Sequence, residues 1–376
     1  MAAKLRVGVI FGGRSGEHEV SLVSASSILN ALDRSRYDVI PIGITRQGKW
    51  VSSGHALGLL KERTGLDHEP EKFLVPEPGR QGLVPASGSL ESSQPLDVVI
   101  PIVHGTYGED GTLQGLLELA NIPYVGAGVL GSALGMDKIL QKGLFVQAGL
   151  PVAKYLWFLS VTCKEQPEKV AAAIPRRLRY PLFVKPANTG SSVGITKAHN
   201  RAELLKGLAL AAEFDRKVIV EQGVRDIREI ECGVLGNNDP EASVLGEVVP
   251  SNEFYDYDAK YVDGKTNAVI PAKLPKSVSD NVRRMAVKAF RALDLAGMAR
   301  VDFFVSKRSN RICLNEVNTL PGFTSISMYP KLWEATGLSY PQLLDRLIAL
   351  AIERHREKNS IRTEYQPKQE WYKSGD

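Results

Sequence analysis

The sequence predicts an α/β fold that passes into an α+β one, and three observations carry that reading. The first third alternates short apolar strands with helices, the pattern of an open parallel sheet covered by helices. Two Gly-rich segments, residues 12–16 and 187–194, each follow directly on a strand-like run. In the last third, two strand-like runs flank a polar turn (SKRSN) and carry polar or charged residues on alternate positions, Arg300 and Asp302 on one and Glu316 and Asn318 on the next.

In chain order, residues 5–11 form an apolar run ending in Gly12-Gly13, a first strand; a helix is expected over 20–32 and a strand over 37–44. Residues 46–94, rich in Gly, Ser, Pro and charge, read as an irregular insertion. Residues 97–103 (DVVIPIV) lack polar alternation after Asp97, as a strand buried on both faces does. A polar loop (HGTYGEDG), a helix over 113–120 and a short strand over 123–125 follow. A second unit holds a helix over 136–148 carrying Lys138, a strand over 181–185, a helix over 201–214 and a strand over 217–221. A third has strands at 229–235 and 243–249, an aromatic and charged loop at 252–265, a helix over 279–296, a hairpin of 299–305 with 311–317, and a last helix over 340–357. Borders near 125 and 220 divide the chain into 1–125, 126–220 and 221–360, with a polar, basic tail at 361–376.

A chain of 376 residues can bury more than one core. Its 47 Lys and Arg against 42 Asp and Glu leave a net +5, too mild an excess to call for nucleic acid and suited to a small anionic substrate. Cys163, Cys232 and Cys313 form no CxxC, so a zinc knuckle or iron–sulfur cluster has no support. No run of 18 apolar residues occurs, and the N-terminal apolar stretch is too short for a signal sequence. The expectation is a cytoplasmic protein with no membrane partner.

Residues 12–16 (GGRSG) suit an anion, because a strand-to-helix turn aims free N–H groups and the helix dipole at one spot. The spacing is neither GxGxxG nor GxxxxGK[ST], and such a turn also needs glycine when it holds nothing. Glu17 in its mouth could take a substrate ammonium. The second segment follows Lys185-Pro186 and is dense in backbone and hydroxyl donors, including Ser191 and Ser192; it can wrap a polyphosphate with Lys185 at the strand's end.

On the hairpin, a turn centred on Ser309 sets Asp302 opposite Glu316 and Arg300 opposite Asn318. Residues two apart on a strand share a face, so that face carries two carboxylates, an amide and a guanidinium. Opposed like charges need neutralising, and such oxygen donors suit Mg²⁺ that draws its other ligands from water and phosphate. Gly322, shortly after Asn318, lets the backbone turn toward a ligand, where its N–H and Arg300 could hold a developing oxyanion.

These stretches also carry a family resemblance. GVIFGGRSGEHEVSL (8–22), HGTYGEDGTLQG (104–115), MDK (136–138), VKPANTGSSVG (184–194), EQGVRDIREIE (221–231), EFYDYDAKY (253–261), RVDFFV (300–305) and NEVNTLPGFTSISMYP (315–330) occur in the order seen in D-alanine–D-alanine ligases of the ATP-grasp superfamily. The chain resembles that family over nearly its whole length. The resemblance implies an ATP-grasp fold behind an N-terminal open parallel α/β (pre-ATP-grasp) domain. It implies that two D-alanines are joined with ATP, through a D-alanyl phosphate, for peptidoglycan precursor synthesis.

Residue by residue, the resemblance implies that Glu17 takes the first D-alanine's ammonium, with His104 nearby and Ser191 and Tyr261 closing the site. Lys138 and Lys185 would contact phosphates, with Ser191, Ser192 and Asn315 also at the nucleotide. Glu221 and Glu229 would hold the adenine amino group and the ribose, and Lys260 would reach the transferring phosphate. Arg300 and Gly322 would stabilise the tetrahedral intermediate. Asp302, Glu316 and Asn318 would bind two Mg²⁺ (or Mn²⁺) ions. Ser327 and the Met328 backbone would seat the second D-alanine, and a homodimer is expected. Departures are Met328, where many members have Leu, and an extended peripheral loop within 231–241.

One competing reading is a D-alanine–D-lactate ligase, against which the DYDAKY form of the lid with Tyr261 speaks. Another is a nucleotide-binding protein without catalysis, which has no use for Asp302, Glu316, Asn318, Lys260 and Arg300 together. A dinucleotide oxidoreductase lacks its fingerprint: Thr45-Arg46 stand where a ribose-binding carboxylate belongs.

Overall fold

The structure, a computed structural model, describes residues 3–65, 69, 71–87, 93–190, 193–249, 267–324 and 326–366. The first apolar run forms β1 (Leu5–Gly12), which turns into α1 (His18–Ala31) and returns as β2 (Tyr37–Ile44). The stretch expected to be irregular holds short elements instead: β3 (Trp50–Val51), α2 (Ala56–Glu62), β4 (Lys72–Leu74), β5 (Gly82–Pro85) and β6 (Gln94–Pro95). Strands β4, β5 and β6 make a small sheet of their own, pinned because Leu74, Leu83 and Leu96 share a core with Ile10, Ile42 and Val99. The doubly buried run becomes β7 (Val98–Pro101), followed by α3 (Thr112–Leu119).

The main N-terminal sheet has the order β3-β2-β1-β7, and β1 runs parallel to both β2 and β7. The carboxyl ends of β1 and β7 therefore lie side by side, and the loops leaving them emerge together at the place where open α/β sheets bind ligands. The turn after β1 needs Gly13, whose φ of +100° is in the left-handed region and whose N–H donates to Ile44 O at 2.8 Å.

The single helix expected over 136–148 is two helices, α4 (Val129–Met136) and α5 (Lys138–Gln147). Asp137 breaks it. Its backbone is extended, and its side chain accepts from Ile139 N and Leu140 N, both at 3.0 Å, a short acceptor being a better N-cap than helix interior residue. Then come β8 (Tyr155–Leu159), α6 (Ser160–Glu165), α7 (Pro167–Ala173), β9 (Leu182–Pro186), β10 (Thr196–Ala198), α8 (Arg201–Phe214) and β11 (Lys217–Gln222). Their antiparallel sheet has the order β10-β9-β11-β8.

The last sheet, β14-β13-β12-β15-β16, is antiparallel. It comprises β12 (Ile227–Gly236), β13 (Glu241–Val249), β14 (Asn267–Val269), β15 (Gly297–Ser306) and β16 (Ile312–Asn318). The extended loop expected within 231–241 is thus corrected: both strands run further than expected, and only 237–240 turn. Asn237 fixes that turn by donating to Leu350 O at 3.0 Å. Helix α9 (Lys276–Ala292) ends earlier than expected, with Asp294 at φ 53° beyond its end. Helices α10 (Met328–Thr336) and α11 (Tyr340–Asn359) follow.

Helix α11 carries the chain back to its beginning. Leu343, Leu344 and Leu347 share one core with Val7, Val98, Ile100 and Phe323. Tyr37 Oη donates to Asp345 at 2.6 Å, and Arg354 Nη1 donates to Gly126 O at 2.8 Å. Among the described residues, no helix is long and apolar enough to cross a membrane.

Candidate active site

On the hairpin β15–β16, Arg300 is paired with Asn318 and Asp302 with Glu316, so all four side chains share one face. Beyond Asp302 the ladder slips by one, pairing Phe303 with Leu314, and Asn315 is the extra residue. The turn is one position tighter than the sequence suggested, and this bulge restores the acidic register. Lys142 Nζ donates to the bulged Asn315 O at 2.8 Å.

A third carboxylate, which sequence reasoning missed, joins the face. Glu231 on β12 is the partner of Asp302 on its other side, so Glu231, Asp302 and Glu316 form a row across three strands. The signal was the alternation in Glu229-Ile230-Glu231-Cys232, which sets both acids on one side of β12. Arg300 neutralises the row: its Nε donates to Asp302 Oδ1 at 2.8 Å and lies 3.0 Å from Glu231 Oε2, and its Nη2 donates to Asp302 Oδ2 at 2.7 Å. Burial weakens the Arg300 charge, but Asp302 and Glu231 outweigh it and hold the guanidinium well above its ordinary value. At the other end, Lys138 Nζ is 3.8 Å from Glu316 Oε2.

Asp302, Glu316 and Asn318 offer oxygens from one face, a donor set that fits Mg²⁺ finishing its sphere with water and phosphate. Among the described residues, no three His, Cys, Asp or Glu side chains are arranged to hold a metal by themselves.

Two lysines face this row. Lys138 is the first residue of α5, placed there by the Asp137 cap; its N–H donates to Ala187 O at 3.0 Å and its Nζ to Thr189 O at 2.7 Å. Lys185 on β9 lies diagonally across from Glu221 on β11, with Nζ 2.7 Å from Oε2. Lys142, also missed, places its Nζ 2.9 Å from Glu221 Oε1; it sits one helical turn after Lys138, which was the available signal. Burial pushes the Glu221 carboxyl up, yet Lys142 and Lys185 prevail and lower it to about 2. Each Glu221 oxygen is therefore against an ammonium, with a further lone pair left for a donor such as an adenine amino group. Glu229 lies close enough to Lys185 to support its charge. Ile139, Ala187, Ile219 and Tyr155 form an apolar cluster beside these lysines.

The loops leaving β1 and β7 supply the other end. Glu17 is buried at the mouth of the β1–α1 turn. Ser15 Oγ accepts from Glu17 N at 3.0 Å and donates to His104 O at 2.7 Å. The buried His104 ring has Nε2 3.2 Å from Ser24 Oγ and Nδ1 3.2 Å from Leu320 O and 3.3 Å from Glu109 Oε1. Burial disfavours the imidazolium, but Glu109 outweighs it and raises the His104 value. Ser24 and Glu109 were not singled out in the sequence.

Leu320 belongs to the loop leaving β16, so His104 joins the first sheet's loops to the acidic hairpin. In the same loop Gly322 lies against Ser327, where a Cβ would stand 2.9 Å from Oγ. Ser327 Oγ accepts from Thr324 N at 3.0 Å. Met328 opens α10, and its side chain lies back against Gly246 on β13. The first N–H groups of α10 have no partner within the helix, which suits a carboxylate. Ser191, Ser192, Lys260 and Tyr261 lie outside the described residues.

Residues 6–127 match the family described as D-ala D-ala ligase N-terminus, and residues 144–349 the one described as D-ala D-ala ligase C-terminus. The chain belongs to the D-alanine–D-alanine ligase family. It is 52% identical over 363 residues to a D-alanine–D-alanine ligase of Thermoanaerobacter sp. (strain X514), covering 94% of this chain and 98% of that one. A Heliobacterium modesticaldum D-alanine–D-alanine ligase is 50% identical over 365 residues, covering 97% of this chain and 99% of that one. Among solved structures, the Coxiella burnetii D-alanine–D-alanine ligase superposes with a TM-score of 0.81 at 38% identity, covering 96% of this chain and 97% of that one. The VanG D-Ala:D-Ser ligase of Enterococcus faecalis gives 0.81 at 37%, covering 93% and 100%. The expected ATP-grasp ligase fold is the fold of this family member.

Proposed function

We propose that this chain joins two molecules of D-alanine into D-alanyl-D-alanine while converting ATP to ADP and phosphate, for peptidoglycan precursor synthesis in the cytoplasm. One observation carries the reading: a buried carboxylate, a phosphate-type loop and an acidic hairpin are contiguous. Glu17 abuts Gly190, the adjacent Thr189 O accepts from Lys138 Nζ, and Lys138 Nζ lies beside Glu316.

In the first step a carboxylate oxygen of one D-alanine attacks the γ-phosphorus of ATP. The bond from that phosphorus to the ADP oxygen breaks, leaving D-alanyl phosphate and ADP. In the second step the neutral amine of the other D-alanine attacks the acyl carbon, the tetrahedral intermediate expels phosphate, and the amine's proton passes to the departing phosphate. Phosphoryl transfer asks for alignment and charge neutralisation more than for a strong base. Lys138 and Lys185 supply fixed positive charge, Glu17 with His104 beside it orients the first amino acid, and Arg300 with the Gly322 N–H faces the oxyanion. Ser327 and the Met328 N–H seat the second D-alanine's carboxylate. Two Mg²⁺ (or Mn²⁺) ions held by Asp302, Glu316 and Asn318 would neutralise the phosphate oxygens. Glu221, Glu229, Asn315 and Ser192 belong to the nucleotide in this reading, with Lys260 at its last phosphate and Ser191 and Tyr261 closing over the amino acid. The proposed domains are 1–125, 126–220 and 221–360, and the proposed assembly is a homodimer.

The second substrate decides between this reading and its relatives, since the D-Ala:D-Ser ligase is as close in fold as the D-alanine–D-alanine ligase. The test is a product assay with ATP and D-alanine, alone and with D-serine or D-lactate. Phosphate release matched by D-alanyl-D-alanine, with little mixed product, is expected. Phosphate release without ligated product overturns the reading, and preferential mixed product reassigns the second substrate.

A further inference from the structure

We infer that Gly190 and Gly105 form a two-sided slot that sets the position of the Glu17 carboxylate, making both of them positioning residues for the first amino acid's ammonium. The inference rests on the ammonium-binding role proposed for Glu17. A Cβ built on Gly190 would stand 3.1 Å from Glu17 Cδ and 3.3 Å from Oε1, and closer still to Oε2. A Cβ on Gly105 would stand 2.7 Å from Glu17 Oε2 and 2.7 Å from Ser15 Oγ. The two glycines come from different units: Gly105 from the loop after β7 and Gly190 from the segment after β9. The carboxylate is thus clasped by backbone from both.

The clasp matters because Glu17 is only 8% exposed. A carboxylate that must meet an ammonium at hydrogen-bond distance gains from being held in place before the ligand arrives, and backbone is stiffer than side chain. Its own N–H is fixed on Ser15 Oγ at 3.0 Å, so the side chain has little room to retreat. A methyl group at either glycine drives the carboxylate along the slot and displaces the ammonium by a comparable distance. Gly105 has φ +75°, so alanine there also strains the backbone. Gly190 is not in the left-handed region, so at that position the collision with Glu17 is the chief cost.

The experiment compares Glu17→Gln, Gly190→Ala, Glu17→Asp and the double variant Glu17→Asp/Gly190→Ala by steady-state kinetics in D-alanine and ATP, with nucleotide binding by calorimetry as a check on folding. Gly190→Ala is expected to raise the KM of the first-bound D-alanine roughly tenfold or more while ATP affinity stays within about twofold. Glutamate shortened by one methylene leaves space for the new methyl, so Gly190→Ala should harm the Glu17→Asp enzyme much less than the parent. An equal loss in both backgrounds overturns the slot, as does a KM unchanged by Gly190→Ala. A loss confined to ATP shows that Gly190 serves the phosphates and overturns it too. Glu17→Gln with an unchanged D-alanine KM overturns the underlying role of Glu17 itself, an outcome separate from the other three.

Discussion

Arg300 and Asp302 stand two residues apart on one strand, and the guanidinium grips both carboxylate oxygens, at 2.8 and 2.7 Å. The same arginine lies 3.0 Å from Glu231. A planar fork can do this and an ammonium cannot. Arg300→Lys should keep a positive charge near the row yet lose the geometry, lowering kcat on the order of a hundredfold with a smaller change in ATP affinity. Steady-state kinetics alongside nucleotide titration checks it; kcat within about twofold of the parent would remove Arg300 from its proposed oxyanion role.

Glu231 gives a second expectation. If Asp302 turns its lone pairs to a metal, Glu231 is the acid left to hold the arginine. Glu231→Gln keeps the shape and removes the charge, and should lower kcat about tenfold while leaving the ATP KM nearly unchanged. A matching rise in the Mg²⁺ concentration needed for half-activity, without a kcat effect, would instead make Glu231 a metal ligand.

The acidic face was legible in the sequence because a two-residue period needs only the strand and its turn. Arg300 with Asp302, and Glu316 with Asn318, each share a side of their own strand on that period, and the bulge at Asn315, which the sequence did not show, sets the two pairs on one face. Glu231 and Lys142 left a signal in the alternation of β12 and in the spacing after Lys138, but their roles, like those of Ser24 and Glu109, were illegible for the opposite reason. Their importance comes from strand order and from loops of separate sheets meeting, as when His104 meets Leu320 across 216 positions and Ser24 meets Phe323 across 299. The helix break at Asp137 had a readable sign, an aspartate before a lysine-led apolar stretch, but helix periodicity on both sides masked it. Short elements in 46–94 depend on apolar residues packing under a sheet that composition does not reveal.

Glu221 makes stability depend on acidity. Its carboxyl falls from an ordinary 4.5 to about 2 in the folded chain, so its contribution is fully present above pH 4.5 and drains away as pH falls toward 2. The amount is on the order of 3 kcal/mol. Urea unfolding of the parent and of Glu221→Gln at several pH values should give curves that approach one another in that window; a constant gap down to pH 2 would contradict the ion-paired state.

Asp137 links a helix cap to the proposed nucleotide site, because the next residue is Lys138, fixed to Ala187 O and Thr189 O. Asp137 also forms an ion pair with Lys217. Asp137→Ala should cost about 1 kcal/mol or somewhat more from the lost cap. It should raise the ATP KM several-fold through the loosened lysine. Asp137→Asn keeps the cap but not the ion pair, so it should recover most of the ATP affinity. Equal ATP affinity in all three proteins would separate the cap from the site.

Phe323 tests whether the loop after β16 is held rigid for catalysis or merely packed. Its ring is 1% exposed and meets Tyr329 and Tyr340 at 5.7 and 6.1 Å between centroids. Its backbone is tied at both ends, the N–H to Ser24 Oγ at 3.3 Å and the carbonyl to Tyr340 Oη at 2.8 Å. Phe323→Ala should cost about 3–5 kcal/mol from the lost ring and the cavity left behind. Because Gly322 precedes it, the surviving folded enzyme should also turn over more slowly, while Phe323→Leu loses less of both. Thermal unfolding and kcat per folded molecule separate the two effects. A kcat that holds steady as stability falls would mean that the Gly322 N–H is positioned by β16 and α10 alone, without help from the aromatic cluster.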